Sequence, residues 1–454
     1  MNKTNSVAVL IFILAFVFLM QSGWADVGPA ISRQAKKQND VAPIKSAPTS
    51  TESVPAKVSG PIESIQREER EEEEEKQAET TTAWFEGVSK NLIYDNLKIY
   101  PRFRTDYTLD SNILLEPTDE RMDSIFREVP GVKIIVPFQD HYFKADYEAQ
   151  LEQFVKTAKE NAENQYFTSE MALNFTDLYL HVNEAVTHTS SRSGTTFTER
   201  IPRFENDVDT LIGYKWNRFT LEAGYENFYR SFDTSAEKHL NYDSNKWLGS
   251  LYMDLTAKTK IFFDYAFTSY DYSKDETRDG ESNAFYGGIE GALFPKTTLY
   301  SKLGYERLTF DGSNEKEGNN FVAEVGALYK PVAKTTVDIG WMRSTEQAVF
   351  GDTNFFVQDK LFGRLRQRFT AKISGEADMA YTNQDYEDVS TTGAGTFTGE
   401  RNDDLLTVDV KLLYQFTDWL GWDIKYQYNR RDSNASIFDY TDHLLTTGLA
   451  FEMS

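Results

Sequence analysis

The sequence contains no cysteine among its 454 residues. A disulfide framework, thiol chemistry and a lipid anchor on a lipoprotein cysteine are therefore excluded. Beyond the first 25 residues, no run is apolar enough to form a membrane-spanning helix. Only 40% of the residues are hydrophobic but 14% are aromatic, so apolar surface must come from short, ring-rich segments. A chain of this kind can cross a membrane only as a closed β-barrel, because lipid tolerates no unpaired sheet edge.

Positive charge is also scarce. Lys and Arg number 48 against 71 Asp and Glu, which gives a formal net charge of −23 at pH 7. Proteins that bind nucleic acid usually present a basic surface to the phosphates. The composition therefore predicts that nucleic acid is not a partner.

Residues 1–25 are typical of a signal peptide. Lys3 precedes the apolar run Val7–Met20, and the small residues Gly23 and Ala25 occupy positions −3 and −1 of a cleavage site. The apolar run has 14 residues, which is short for a membrane span. We expect cleavage after Ala25 and export to the periplasm.

Two further segments precede the patterned part of the chain. Residues 26–82 are rich in Pro and Ser and then almost wholly charged, so they cannot bury enough apolar surface to offset their chain entropy. We expect a disordered periplasmic tail, either a solvated spacer or a docking arm for a periplasmic partner. Residues 83–96 include Trp84, Phe85 and Ile93, which predicts a short amphipathic lead-in.

A period-two alternation dominates residues 97–454. Within 247–272, one side carries Trp247, Leu251 and Met253 and the other carries Ser250 and Asp254. Successive side chains of a strand point to opposite faces, so this stretch is a hairpin with one apolar and one polar face. The unit recurs to the end of the chain, which indicates lipid on one side and water on the other. The predicted fold class is all-β, a transmembrane antiparallel up-and-down β-barrel.

Alternation and turn signals predict about 18 strands, from 97–108 to 442–453. The connections between them alternate between short and long. Gln139-Asp140 is a short one, whereas Ser111–Ile125 and Thr382–Asp403 are long. Short turns face the periplasm in bacterial barrels and long loops face outside. This arrangement places both termini in the periplasm and the barrel in the bacterial outer membrane.

The segment Arg104–Leu114 (RTDYTLDSNIL) resembles the first strand and loop of the putative β-barrel porin 2 family, whose opening carries an Asp/Asn-Asn-Ile element. Glu199–Arg203 before a strand and Tyr214-Lys-Trp before a turn are similar in style. The resemblance covers about 97–454 and implies an outer-membrane pore linked to exopolysaccharide loci. Such barrels commonly end on an aromatic residue, but this chain ends at Ser454. Phe451 and Met453 keep the outward phase, so we expect the signal for the outer-membrane assembly machinery to be shifted.

Residues with catalytic or metal-binding chemistry form no recognisable motif. The five histidines match no metal-ligand spacing, so no metal and no cofactor are predicted. His188, Ser190 and Ser191 lie close in sequence at one strand end, which leaves a rim-site hydrolase open as a minor alternative. A triad is recognised by geometry rather than by proximity along the chain, so we predict no catalytic residues and no enzyme.

Charged side chains on the inward phase are the candidate functional residues. Each Lys or Arg would cost about 2–4 kcal/mol if it faced lipid at the bilayer midplane, so these residues are expected to line a wet lumen. The predicted lumen-lining residues are Arg102, Arg104, Asp106, Lys144, Asp146, Glu148, Glu222, Asp254, Asp264, Lys302, Glu306, Glu324, Asp338, Lys372, Glu376, Asp378, Asp409, Lys411, Asp423 and Lys425.

The favoured function is an outer-membrane pore for saccharides or for an exported surface polysaccharide. Its expected partners are outer-membrane lipid, the assembly machinery and a periplasmic polysaccharide-export component. The same inward charges could instead pair with one another and seal the barrel, which would make it a structural or surface-adhesive protein.

Overall fold

The structure is a computed structural model that describes residues 97–192, 200–311, 317–348, 354–391 and 397–452. The predicted signal peptide, charged tail and lead-in lie outside the described residues, so these three interpretations stay predictions. In the part of the chain that is described, no helix is long and apolar enough to span a bilayer.

Eighteen antiparallel strands form one closed sheet. Each strand pairs with its neighbours in sequence, and β1 also pairs with β18. Closure leaves no row of unpaired backbone groups at an edge, which confirms the predicted fold class and the strand count. The strands are β1 (Lys98–Asp110), β2 (Asp123–Phe138), β3 (His141–Phe154), β4 (Ala162–Asn174), β5 (Leu178–Thr189), β6 (Arg203–Trp216), β7 (Phe219–Phe232), β8 (Tyr242–Thr256), β9 (Thr259–Tyr272), β10 (Gly280–Phe294), β11 (Thr297–Phe310), β12 (Gly318–Val332), β13 (Thr335–Gln347), β14 (Phe355–Arg368), β15 (Ile373–Thr391), β16 (Phe397–Thr417), β17 (Leu420–Ser433) and β18 (Tyr440–Glu452).

Short turns gather at one end of the barrel and longer loops at the other; we call these the turn end and the loop end. Most connections at the turn end have two residues, as in Asn217-Arg218 and Pro295-Lys296. Gln139, Asn217 and Lys296 take positive φ angles of 61°, 55° and 62°. Two-residue hairpins favour such angles because the turn then matches the right-handed twist of the strands.

One predicted loop is wrong. Thr382–Asp403 was expected to be a long connection, but β15 continues to Thr391 and β16 begins at Phe397. This segment is rich in Thr, Asn and Asp, so it shows no apolar alternation. Its pairing is made by the backbone, through Asn383 opposite Asp404 and Thr391 opposite Phe397. A paired hairpin outside lipid needs no apolar face, and the hydrophobic pattern therefore missed it.

Four loops at the loop end share one design. Each contains a 3₁₀ turn, and the Asn or Asp that follows it accepts a hydrogen bond from the backbone N–H at or near the end of the preceding strand. This bond ties the two ends of the loop together, so the loop stays short and close to the barrel rim. The pairs, at 2.6–2.8 Å, are Phe154 N to Asn161 Oδ1, Phe232 N to Asn241 Oδ1, Tyr272 N to Asp279 Oδ1 and Ser433 N to Asp439 Oδ1.

The outer face is apolar between two aromatic bands. Towards the loop end, a tyrosine hydroxyl on one strand forms a hydrogen bond with a polar side chain on the next strand. The partner lies one diagonal step closer to the loops. A tyrosine has an apolar ring and a polar hydroxyl group, so it suits a membrane–water interface. We call this band the tyrosine girdle: Tyr107–Ser124, Tyr147–Gln165, Tyr225–Asn245, Tyr265–Asn283, Tyr305–Asn319, Tyr381–Asp404 and Tyr426–His443.

The band at the turn end consists of exposed Phe and Trp side chains, among them Phe175, Trp216, Phe294, Phe369 and Trp419. Phe451 of β18 belongs to this band. Its ring centroid lies 6.4 Å from that of Phe103 and 6.3 Å from that of Trp419. Met453 lies outside the described residues.

Candidate functional site

The concave face of the sheet is identified by contacts that skip a strand. Arg104 of β1 donates to Asp423 of β17 at 2.6 Å across the intervening β18. Lys302 of β11 lies 2.8 Å from Asp264 of β9 across β10. Side chains two strands apart can meet in this way only on the inside of a closed barrel, and residues opposite each other in the ladder share that face.

The register places the predicted lumen residues on this inner face, with one exception. Opposite pairs include Asp264 with Ser250, Lys302 with Glu324, and Glu376 with Lys411. The residues so placed are Arg102, Arg104, Asp106, Lys144, Asp146, Glu148, Glu222, Asp254, Asp264, Lys302, Glu306, Glu324, Asp338, Glu376, Asp378, Asp409, Lys411, Asp423 and Lys425.

Lys372 is the exception. The alternation in the sequence predicts a strand over 369–381, whereas β15 begins at Ile373, so Lys372 is the last residue of the preceding turn. Its Nζ donates to the backbone O of Phe416 at 2.9 Å. The turn needs four residues here because Thr370 Oγ1 accepts the N–H groups of Lys372 and Ile373, and this local bonding delays the start of the strand.

The inward charges near the β1–β18 seam are paired with one another. Arg102 Nη1 donates to Asp146 Oδ2 at 2.6 Å, and Arg102 Nη2 lies 2.6 Å from Glu148 Oε1. Arg104 Nε donates to Asp106 Oδ2 at 2.9 Å, and its Nη1 reaches Asp423. The Arg104 and Asp423 side chains are only 8% and 2% exposed. Each guanidinium thus joins two strands, and the pairs reinforce barrel closure.

Other parts of the inner wall hold pairs with looser geometry. Lys425 Nζ lies 3.3 Å from Asp409 Oδ1, and Lys144 Nζ lies 4.0 Å from Glu170 Oε2. Glu306 accepts a hydrogen bond from Ser282 at 2.6 Å. The inner face is therefore a network of interacting positive and negative side chains rather than a row of independent charges.

Three arginine–carboxylate–arginine groups at the loop end were not predicted. Each group has at least one member beyond the ends of the predicted strands, where the alternation gives no inward phase. The alternation Arg203-x-Glu205 and Arg401-x-Asp403 is the signal that would have found two of them. The groups are Arg127–Glu152–Arg200, Arg203–Glu205–Arg230 and Arg401–Asp403–Arg431.

The Asp-Ser-Asn-Ile element anchors the first loop to the seam. Asn112 Nδ2 donates to the backbone O of Glu116 at 2.8 Å and to that of Thr441 at 3.1 Å. The Asn112 N–H donates to Asp110 Oδ1 at 2.9 Å. Ile113 is buried against Ile125 and Phe154, and its backbone O accepts a hydrogen bond from Arg192 of the loop between β5 and β6.

The residues considered for catalysis do not meet. His188 Nε2 lies 2.6 Å from Asp233 Oδ2, while Ser190 Oγ lies 3.5 Å from Asn164 Oδ1. A serine nucleophile needs its base within hydrogen-bond reach. Across the described ranges, no group of three or more His, Asp or Glu side chains could hold a metal ion.

A closed antiparallel barrel of even strand number, with an apolar outer face between aromatic bands and a polar inner face, defines a transmembrane β-barrel. The profile of the family described as Putative beta-barrel porin 2 matches residues 97–453. The chain belongs to this family, a class of bacterial outer-membrane β-barrels, which confirms the resemblance seen in the sequence.

Solved structures similar to this chain come from Pseudomonas aeruginosa. The outer membrane protein OpdK is 12% identical with a TM-score of 0.43, and the match covers 80% of this chain and 100% of OpdK. OccK8 (OprE) is 11% identical with a TM-score of 0.44, covering 79% of this chain and 99% of OccK8. The siderophore receptor PirA is 10% identical with a TM-score of 0.43, covering 78% of this chain and 80% of PirA. No curated protein matches the chain.

Proposed function

We propose that the protein is a passive outer-membrane pore, without enzymatic activity, that passes saccharides or an exported surface polysaccharide. The supporting observation is the closed 18-stranded barrel whose inner face carries charges of both signs. Barrels of about 16–18 strands leave an aqueous channel. Half-exposed inner charges such as Arg364 and Asp378 are tolerated only if water reaches them.

The connections support the proposed orientation. The turn end faces the periplasm and the loop end faces outside, as is usual for such barrels. Both ends of the barrel domain, at Lys98 and Glu452, lie at the turn end. The tail before Lys98 would then be periplasmic, where an export component could bind it. Outer-membrane lipid contacts the outer face, and the assembly machinery would recognise β18 with Phe451.

A sealed structural or adhesive barrel is the second candidate. The observation that favours it is the burial of inner ion pairs such as Arg104–Asp423 and Lys302–Asp264. A rim-site hydrolase has less support, because His188 and Ser190 have other partners.

Purified full-length protein in planar lipid bilayers separates these candidates. Discrete, ohmic conductance steps are expected in KCl, and protein denatured by boiling before addition serves as the control. Protein that migrates as a folded barrel in unheated gels is tested at all voltages. If it gives no conductance steps, the sealed barrel replaces the pore as the proposed function. Hydrolysis of ester or lipid substrates that is lost in His188→Ala would instead support the hydrolase.

A further inference from the structure

The inner face of β14 differs from that of every neighbouring strand in its charge. All of its charged side chains are cationic: Lys360, Arg364, Arg366 and Arg368. The adjacent inner faces are acidic, with Asp338 and Glu346 on β13 and Glu376 and Asp378 on β15. A basic strand therefore lies between two acidic ones, in the half of the lumen nearer the turn end.

Arg364 and Arg366 are held more loosely than several other inner arginines. Arg104 and Arg230, for example, donate to carboxylates at 2.6–2.9 Å, and their side chains are 8% and 6% exposed. Arg364 lies 3.9 Å from Asp338 Oδ2 and 3.7 Å from Asp378 Oδ1, and its side chain is 43% exposed. Arg366 Nε lies 3.8 Å from Glu376 Oε1. These separations exceed hydrogen-bond length.

An aromatic ring lies beside Arg364. Phe362, two residues from Arg364 on the same face, is half-buried, and its ring centroid is 5.2 Å from Arg364 Cζ. Opposite it on β13 is Gly340, where an added Cβ would come within 2.6 Å of Phe362 Cζ. The glycine lets the ring lie along the wall towards β13 instead of projecting into the lumen.

We propose that Phe362, Arg364 and Arg366, together with the flanking carboxylates, form a binding site for a carboxylated saccharide. The inference rests on the proposed pore, since the ligand reaches the site through the lumen. It deepens that proposal by naming the substrate class, a sugar acid or a polymer that contains one.

Each part of the site matches one part of such a ligand. A guanidinium presents five N–H donors in a fork that fits a carboxylate, and charge-assisted bonds of this kind are stronger than neutral ones. The carboxylates of Asp338, Glu376 and Asp378 can accept hydrogen bonds from sugar hydroxyls. The Phe362 ring offers an apolar face to the C–H groups of the sugar. A neutral sugar would gain only the last two contacts.

The flanking carboxylates also limit how tightly an anion can bind. They offset the charge of Arg364 and Arg366, so a small anion without hydroxyl groups gains little at this site. A ligand whose carboxylate pairs with the arginines and whose hydroxyl groups donate to the flanking carboxylates gives both the cationic and the anionic side chains a partner. This requirement distinguishes a sugar acid from acetate or chloride, and binding through hydroxyl and carboxylate together is the expected signature.

The test compares two double variants that remove the same charge. Arg364→Gln/Arg366→Gln alters the site, whereas Lys215→Gln/Lys260→Gln removes two inner-face cations from β6 and β9. Trigalacturonic acid, maltotriose and acetate are added to single channels in bilayers, and channel block is recorded. The same three probes are titrated calorimetrically against the detergent-solubilised full-length protein, whose folding is checked by migration in unheated gels.

Trigalacturonic acid is expected to bind and block the wild type and the Lys215/Lys260 variant equally well. Loss of the two arginines should weaken its binding about tenfold or more. Maltotriose and acetate should bind weakly to all three proteins. Equal weakening in both double variants would show that only bulk charge matters and would overturn the site. Unchanged binding in the arginine variant, or equal affinity for maltotriose, would also overturn it. If no conductance occurs but calorimetry gives the expected order, the pore fails and the site stands. If the protein conducts but calorimetry does not give the expected order of affinities, the pore stands and the binding site is overturned.

Discussion

Arg104 is the residue on which the closure of the barrel depends most clearly. Its guanidinium contacts Asp106 on its own strand and Asp423 two strands away, and all three side chains are buried. Arg104→Gln would leave two buried carboxylates without their cation. Breaking a buried pair in this way costs about 3–5 kcal/mol. We expect the free energy of unfolding in detergent, measured by tryptophan fluorescence in urea, to fall by that amount.

Two comparisons make this prediction specific. Arg307→Gln removes an exposed arginine that lies 2.9 Å from Glu317, and exposed pairs contribute only about 0–1 kcal/mol. Arg104→Gln/Asp423→Asn removes the uncompensated charge together with the arginine and should recover part of the loss. A decrease for Arg104→Gln no larger than that for Arg307→Gln would show that the buried pair does not stabilise the seam.

The pKa of the loop residue Asp279 is set by its neighbours. Its Oδ1 accepts the Tyr272 N–H at 2.6 Å. Partial burial and the nearby carboxylates of Asp271, Asp311 and Glu276 raise the pKa of Asp279 above its ordinary value. The corresponding positions in two other loops, Asn161 and Asn241, use a neutral amide for the same bond.

Asp279→Asn is expected to keep the hydrogen bond and remove the repulsion, so the variant should be at least as stable as wild type at pH 7. The difference should shrink as the pH falls through the raised pKa, because wild-type Asp279 then becomes neutral as well. Asp279→Ala loses the bond and should cost about 1 kcal/mol. Urea midpoints at pH 7 and pH 4 measure both effects, and a stabilising effect of Asn that grows at low pH would contradict the argument.

At the scale of one element, β17 tests which face meets lipid. Trp422, Ile424 and Tyr426 lie on the outer face, while Asp423 and Lys425 lie on the inner face near Arg104 and Asp409. Ile424→Arg places a charge in hydrocarbon, at a cost of about 2–4 kcal/mol near the midplane. We expect a lower folded yield in unheated gels and a lower urea midpoint for this variant.

Lys425→Gln is the matched control, because it changes the adjacent residue on the other face and keeps a hydrogen-bonding group beside Asp409. Its yield and midpoint should stay close to those of wild type. If the two variants behave alike, the faces of β17 have been assigned the wrong way round.

Elements were predictable where the strand lies in lipid. Trp247, Leu251 and Met253 lie on the outer face and Ser250 and Asp254 on the inner face, as the period-two pattern predicts. Outside lipid, both faces of a strand contact water, so the sequence need not alternate between apolar and polar residues. The extension of β15 and β16 to Thr391 and Phe397 was missed for this reason.

At the scale of the whole molecule, the distribution of inner charge predicts ion selectivity. The inner faces of β6–β9 carry the carboxylates of Asp207, Asp209, Glu222, Glu226, Asp254 and Asp264, of which Glu226 pairs with Lys246 and Asp264 with Lys302. Carboxylates along a pore select cations. The reversal potential in a KCl gradient should therefore show cation preference at low salt. It should weaken towards 1 M, where the screening length falls to about 3 Å.

Asp209→Asn/Asp254→Asn should reduce this preference without unfolding the barrel. Asp264 is left intact because Lys302, 2.8 Å away and buried, would lose its partner. Asp271→Asn/Asp385→Asn removes two charges from the outer face and serves as the control. Equal changes in reversal potential for the two pairs would show that surface charge, and not the lumen, sets the selectivity.

The sequence by itself determined the fold class, the strand count and the inner-face position of every predicted lumen residue except Lys372. The reason is local: the face of a side chain depends only on its position along one strand. Tertiary structure alone decided which charges meet. Arg104 and Asp423 are 319 positions apart, and only barrel closure and the ladder register bring them together. The arginine groups at the loop end and the loose fit of Arg364 arise in the same way, because each depends on packing between strands.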